Sequence, residues 1–191
     1  MPDIVKPQQG ILFMKVGVHA KEDLESIIKR KIQEIEEAGF AFWGYGGGTC
    51  HPTTMVQPFV KQQAEKGQKI YLCMHEMKSN HFAEPLRAEQ YSVDGITWNT
   101  IPKGIDVLGS RFALAIKELR REEFILPLNK TQVAVGDSQG RSGHQYVRRR
   151  VDKACLQLTD EVTAPLDADD LSVKIDLVAE LCEPYAVLLR N

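Results

Sequence analysis

The chain has 191 residues, a formal net charge of −2 and 43% hydrophobic residues. This length suits one compact core, and the composition is typical of a globular protein rather than a disordered or fibrous one. No apolar run approaches the roughly 20 residues that span a bilayer, and no basic stretch leads into an apolar segment at the N-terminus, so we expect a cytoplasmic protein with no membrane partner. Because the net charge is small, binding to nucleic acid requires a local basic patch.

The first half of the sequence predicts alternating strands and helices. Short apolar runs rich in strand formers indicate buried strands, and apolar residues at spacings of three and four indicate helices. In chain order, these are a strand at 11–18, a helix at 21–38 that stops at Gly39, a strand at 40–45, a short helix at 55–65 and a strand at 69–75.

A β-hairpin is predicted around Asp94-Gly95, because a two-residue hairpin turn needs residues that tolerate positive φ. Its strands lie within 85–93 and 96–101. Further strands are predicted within 105–119 and 122–135, although the spacing of the apolar residues in 112–119 fits a helix equally well.

The last third of the sequence predicts a helix, a linker and an appendage. Ser142 and Gln145 match an S-x-x-Q capping box, which predicts a helix from residue 142 to about residue 158 with Lys153 on its exposed basic side. Residues 159–170 carry five acids and no base, which is typical of a linker. We therefore predict a core domain at 1–158, an acidic linker at 159–170 and a C-terminal appendage at 171–191.

An aromatic and glycine-rich segment is the first candidate site. Trp43, Gly44, Tyr45 and Gly46 open a run that continues through two more glycines. Flat ligands stack on aromatic rings, and glycine lets a backbone N–H approach a ligand edge closely. This combination favours a pocket for a base, and the alternative is a core strand that ends in a flexible loop.

A second candidate site lies at the start of the predicted helix at residue 142. The glycine-containing loop 136–141 precedes it, and a helix N-terminus presents free N–H groups that suit phosphate. We expect Arg141, Ser142, Arg148 and Arg149 to contact phosphate there, and the alternative is a solvated basic helix face.

Cysteines and histidines offer an alternative enzymatic hypothesis. The four cysteines form no C-x-x-C pair, which favours reduced thiols over disulfides. Cys50-His51, together with His75 and His81, suggests a zinc site or a cysteine nucleophile. However, the side chains of adjacent residues in an extended segment point to opposite sides, which argues against both kinds of site. We therefore predict no metal site, and we keep an enzyme that uses Cys50, His51 or Asp106 on a phosphate- or amide-containing substrate as an alternative.

The order of elements over about the first ninety residues resembles the PUA-like superfamily, in particular its EVE-type domains. A strand that ends at Lys15 is followed by a helix, the aromatic turn Trp43-Gly44-Tyr45, a short helix and a hydrophobic strand. The resemblance implies a partly closed β-barrel whose pocket takes a base, often a modified one, flipped from nucleic acid. It makes Trp43 and Tyr45 stacking candidates, with His51 or Gln57 reading a base edge.

These observations together predict an α+β fold, a mixed and partly closed β-barrel with flanking helices. The expected function is non-enzymatic recognition of a nucleobase or nucleotide, including a modified base in nucleic acid, without a cofactor. A third hypothesis is a protein–protein interaction module in which the C-terminal segment docks a partner or a second copy to form a homodimer.

Overall fold

The computed structural model describes residues 4–17, 22–78, 86–148, 151–163 and 171–191. Within these ranges the chain has an α+β fold with nine strands and three α-helices. The strands are β1 Gly10–Val16, β2 Ala41–Tyr45, β3 Tyr71–Glu76, β4 Gln90–Ser92, β5 Asn99–Thr100, β6 Phe112–Leu126, β7 Thr131–Val133, β8 Lys153–Leu158 and β9 Val173–Arg190. The helices are α1 Leu24–Ala38, α2 Gln57–Glu65 and α3 Gly143–Val147.

All nine strands belong to one mixed sheet. Its main path runs β2-β6-β9-β3-β1-β8-β7, and β4 and β5 extend it through β9. The β1–β3 pair is parallel, and the other pairs between these strands are antiparallel. Among the described strands the two ends of the path, β2 and β7, do not pair with each other, so the sheet is not closed. The combination of nine strands and three α-helices in the described ranges confirms the predicted α+β class.

The predicted elements of the first half form in the predicted order. β1, α1, β2, α2 and β3 begin and end within three residues of their expected positions, and a π-helical turn at Pro52–Val56 precedes α2. The Asp23 side chain caps α1 by accepting a hydrogen bond from the Ser26 N–H at 2.8 Å. Gly39 ends the helix with φ 86°, a backbone conformation that glycine adopts without steric cost.

The core covers both faces of the sheet. On one face, Leu12 of β1 packs in a cluster with Ile28 of α1 and Phe59 of α2. On the other face, Phe13 packs in a cluster with Val147 of α3. Because neighbouring residues of β1 point to opposite clusters, the strand is buried on both sides, as its continuous apolar sequence predicts.

The hairpin at Asp94-Gly95 forms with a longer loop than the dipeptide predicts. β4 and β5 pair with Tyr91 opposite Asn99, so residues 93–98 form the connection. The Asp94 carboxylate accepts hydrogen bonds from the N–H groups of Ile96 and Thr97, each at 2.8 Å. Side-chain bonding of this kind stabilises a wider turn than the two-residue type.

The helix predicted from residue 142 to 158 is wrong beyond its first turn. α3 ends at Val147, the Ser142 side chain makes no capping hydrogen bond, and β8 begins at Lys153. Cys155 packs on one face of the sheet and Leu156 on the other. A strand buried on both faces has apolar residues at nearly every position, so it also satisfies a helical spacing.

The C-terminal segment is not an appendage but the centre of the sheet. Leu177 of β9 pairs with Met74 of β3 on one side and with Arg121 of β6 on the other. Both edges of this part of β9 are therefore occupied, which leaves no free segment there for the predicted docking of a partner or a second copy. Residues 164–170 of the predicted linker lie outside the described residues. The hydroxyl of Thr163, just before them, donates hydrogen bonds to the carbonyls of residues 129 and 131.

Candidate ligand-binding cleft

An open cleft lies between α1 and the sheet. It has a volume of about 190 Å³, and it is lined by the ends of β1 and β2, the start of β8, α1 and the loop 106–110. These elements are far apart in the sequence, so the cleft exists only because β2 and β8 reach the same end of α1. Four of its wall residues are the predicted Trp43, Gly44, Tyr45 and Gly46.

The two aromatic rings of the cleft wall are mostly embedded in the core. Trp43 and Tyr45 are 5% and 6% exposed, and they share a cluster with the residues of α1. The indole N–H of Trp43 makes no hydrogen bond with any described residue.

Tyr45 anchors the glycine-rich loop that follows it. Its hydroxyl donates a hydrogen bond of 2.6 Å to the carbonyl of Cys50, and its ring lies 5.5 Å from the ring of Phe112. Burial raises the pKa of Tyr45 far above its usual range. The hydroxyl thus stays protonated and holds the loop between Tyr45 and Cys50 in one geometry.

The glycines of the wall differ in what surrounds them. A Cβ built on Gly44 would lie 2.3 Å from the Ser110 hydroxyl, so the chain passes too close to the loop 106–110 for any side chain. A Cβ on Gly46 or Gly48 would meet no atom within 4 Å, and neither has a positive φ. Of these two, Gly46 lines the cleft and Gly48 does not.

A buried ion pair closes the α1 side of the cleft. The Lys31 ammonium group donates hydrogen bonds to the Glu34 carboxylate at 2.9 Å and to the Asp106 carbonyl at 2.5 Å. The other Glu34 oxygen accepts from the Asp106 N–H at 3.0 Å. Burial lowers the pKa of Lys31, and the Glu34 carboxylate opposes this effect. This ring of hydrogen bonds ties the loop 106–110 to α1.

The remaining charges of the cleft are unevenly paired. Arg30 donates to both carboxylate oxygens of Glu22, at 2.9 and 2.7 Å. Lys153, at the start of β8, is only 9% exposed, and it forms no ion pair or hydrogen bond through its side chain with any described residue. Its ammonium nitrogen lies 5.9 Å from the centre of the Tyr45 ring. Sequence analysis missed Lys153 because it placed this residue on an exposed helix face.

His51 and Gln57 do not line the cleft. The His51 ring packs edge-on against Phe112 at 5.1 Å, and its Nδ1 lies 3.2 Å from the Thr53 hydroxyl. Gln57 donates from Nε2 to two carbonyls of β9, those of residues 184 and 186, each at 2.8 Å. Gln57 therefore joins α2 to β9.

The predicted phosphate contacts form a separate group near α3. Arg141 and Arg148 are exposed, and Arg149 lies outside the described residues. The buried Ser142 hydroxyl lies 3.3 Å from that of Thr163. None of the described residues of this group lines the cleft. With five residues, α3 is also too short to build up the dipole expected of a long helix.

Cys50 contacts another thiol instead of its neighbour His51. Its Sγ lies 3.9 Å from the Sγ of Cys155, and both residues are buried. Among the described residues, no hydrogen bond joins Cys50 to His51, the two neighbours that the enzymatic alternative considered. Within the described residues no three His, Cys, Asp or Glu side chains group in a way that could hold a metal ion.

Comparisons with protein-family models, with curated proteins and with solved structures find no match to this chain. In the described parts of the chain, no helix has both the length and the apolar character needed to cross a bilayer. Function is therefore inferred from the chemistry of the cleft alone.

Proposed function

We propose that the cleft beside Trp43 and Tyr45 binds a nucleobase or a nucleotide without acting on it chemically. The observation that carries the proposal is the cleft itself, about 190 Å³ in volume, next to two fixed aromatic rings. Small-molecule sites are typically concave, with apolar walls and a few placed polar groups. The aromatic, apolar and polar groups of these walls suit a purine or pyrimidine ring.

Three features of the wall suit a base. Trp43 lines the cleft, and its indole N–H, which makes no hydrogen bond with a described residue, would donate to a ring nitrogen or carbonyl of the ligand. Gly46 leaves backbone open to a flat edge of the ligand. The Tyr45 ring is held by its hydrogen bond to Cys50, so the site is formed before a ligand arrives.

As part of this proposal, we relate the chain to EVE-type PUA-like domains. It is supported by the order β1, α1, β2, α2 and β3, in which Trp43 and Tyr45 occupy the aromatic strand of the expected pocket. Under this proposal the base comes from a free nucleotide or from a nucleotide flipped out of a strand.

Tryptophan fluorescence tests the proposal. Trp98 stacks under the Arg190 guanidinium at 4.0 Å, away from the cleft, so Trp98→Phe leaves Trp43 as the single reporter. We expect nucleobases, nucleosides or nucleotides titrated at low salt to change the emission of Trp43. A flat response to all of them contradicts the proposal.

A blocking variant and a matched control make this experiment specific. Gly46→Leu places a side chain at the cleft wall where a Cβ meets no atom, and it should abolish the response while the protein stays folded. Gly48→Leu makes the same change outside the cleft and should bind like the wild type. Trp43→Ala is unsuitable because removing a buried tryptophan costs about 3–5 kcal/mol of stability.

A further inference from the structure

Two buried lysines border the cleft, and only one of them has a carboxylate partner. Lys31 is 2% exposed and forms an ion pair with Glu34. Lys153 is 9% exposed, and no acidic side chain among the described residues lies within 4 Å of its ammonium group. Burial of a charged group is unfavourable unless the charge is paired. The buried charge of Lys153 therefore lacks an acidic partner among the described residues.

The position of Lys153 directs this charge toward the cleft. Lys153 stands opposite Met14 in the β1–β8 pair, and both residues line the cleft. Its ammonium nitrogen lies 5.9 Å from the centre of the Tyr45 ring and 3.5 Å from the position of a Cβ built on Gly47. A group bound above the Tyr45 ring and beside the glycine loop is thus within reach of this cation.

The charged groups at the α1 end of the cleft have partners of opposite charge. Arg30 is bonded to Glu22, its buried Nε lies 3.7 Å from the Glu34 carboxylate without a hydrogen bond, and the Asp106 carboxylate lies 2.5 Å from the Arg87 guanidinium. Lys15 also lines the cleft, but it follows Met14 on β1, so its side chain points to the opposite face of the sheet. An incoming anion therefore meets an unpaired positive charge at Lys153 and an already paired one at Arg30. An ammonium group binds phosphate as a point charge, without the two-point geometry that arginine provides.

We infer that Lys153 binds the phosphate of the ligand, so that the cleft takes a nucleoside monophosphate in preference to a free base or a nucleoside. This inference rests on the proposed function and names its ligand class. The base lies along the Trp43 side of the cleft, and the phosphate lies between Lys153 and the glycine loop.

The test compares nucleosides with their 5′-monophosphates in the Trp98→Phe background, with inorganic phosphate as a third ligand. We expect at least one monophosphate to bind about tenfold or more tightly than its nucleoside, a gain of about 1.4 kcal/mol. Lys153→Met should reduce the affinity for the monophosphate to that for the nucleoside and leave the affinity for the nucleoside unchanged. Lys153→Arg should retain part of the preference, and Lys61→Met, at an exposed lysine of α2, should retain all of it.

The outcomes separate this inference from the proposed function. If nucleosides bind and phosphate adds nothing, or if Lys153→Met keeps the preference, the inference is overturned and the proposed function stands. If no nucleoside or nucleotide binds, both are overturned. Inorganic phosphate should compete with the monophosphate in the wild type and not in Lys153→Met.

Thermal unfolding of Lys153→Met independently checks the premise that the buried charge of Lys153 has no partner within the protein. Replacing an unpaired buried charge with an apolar side chain of similar length should leave Tm unchanged or raise it. A lower Tm would show that the protein itself provides a stabilising partner for Lys153, which contradicts the premise.

Discussion

The Sγ atoms of Cys50 and Cys155 lie 3.9 Å apart, although 105 residues separate the two cysteines in the chain. The contact joins the end of the glycine loop to β8, the strand that carries Lys153 into the cleft. The hydrogen bond with Cys50, together with burial, raises the pKa of the Cys155 thiol well above its usual range. The thiolate form of Cys155 is therefore suppressed.

Thiol labelling of the native protein should be selective. Cys50, Cys73 and Cys155 are buried and Cys182 is partly exposed, so a thiol reagent at neutral pH should modify Cys182 first and the other three slowly. Mass spectrometry of labelled peptides measures the order, and labelling in denaturant, where all four react, is the control. Fast modification of Cys50 in the folded protein would revive the enzymatic hypothesis.

The loss of folding stability caused by Cys73→Ala should depend on pH. Burial raises the pKa of Cys73, which is inaccessible to solvent, so the folded state keeps the proton that an unfolded thiol loses above about pH 8.5. A raised folded pKa contributes stability that is complete below the unfolded pKa and is lost as the pH rises above it. Between pH 7 and pH 10 the wild type should lose about 2 kcal/mol through this one group.

Urea unfolding under reducing conditions measures this effect. The variant lacks the thiol, so the destabilisation caused by Cys73→Ala should be about 2 kcal/mol smaller at pH 10 than at pH 7. An equal cost at the two pH values would show that the thiol titrates alike in the folded and unfolded states.

Gln57→Ala should lower stability without affecting ligand binding. The variant leaves the Pro184 and Ala186 carbonyls without their donor, and a lost bond of this kind costs about 1–3 kcal/mol. Gln62→Ala on the same helix, where no side-chain bond is lost, is the control for urea unfolding. Intact stability with lost nucleotide binding would instead support the predicted role of Gln57 in reading a base edge.

Lys31→Met and Lys153→Met should have opposite effects on stability. Lys31→Met removes the 2.9 Å ion-pair partner of the buried Glu34 carboxylate and leaves it only Arg30 at 3.7 Å and the Asp106 N–H, which should destabilise the protein by up to about 3–5 kcal/mol. Lys29→Met, at an exposed position of α1, should change stability by no more than about 0.5 kcal/mol. Chemical denaturation compares the three variants, and equal effects for the two buried lysines would contradict the difference in their pairing.

Part of the cleft is predictable because it lies on one short segment. Trp43 and Tyr45 alternate with Gly44 on a strand, so two rings on one face with a glycine between them follow from the sequence alone. Lys31, Asp106 and Lys153 come from three distant segments, and their positions around the cleft depend on how α1, the loop 106–110 and β8 pack. No local pattern carries that information.

The sequence by itself determined the elements that have one buried side and clear end signals. α1 shows this best, because its apolar residues recur at helical spacing and Gly39 marks its end, although the predicted start at residue 21 lies three residues before the start at Leu24. The Asp94-Gly95 hairpin is another example, since the turn residues act locally.

Only the tertiary structure decided the identity of β8 and β9 and the place of Lys153. Both strands are buried on two faces, and burial on both faces removes the alternation that distinguishes a strand from a helix. Whether Lys153 faces solvent or the cleft depends on the pairing of β8 with β1, a contact between segments about 140 residues apart. Long-range pairing of this kind is set by the packing of the whole sheet and not by any local sequence.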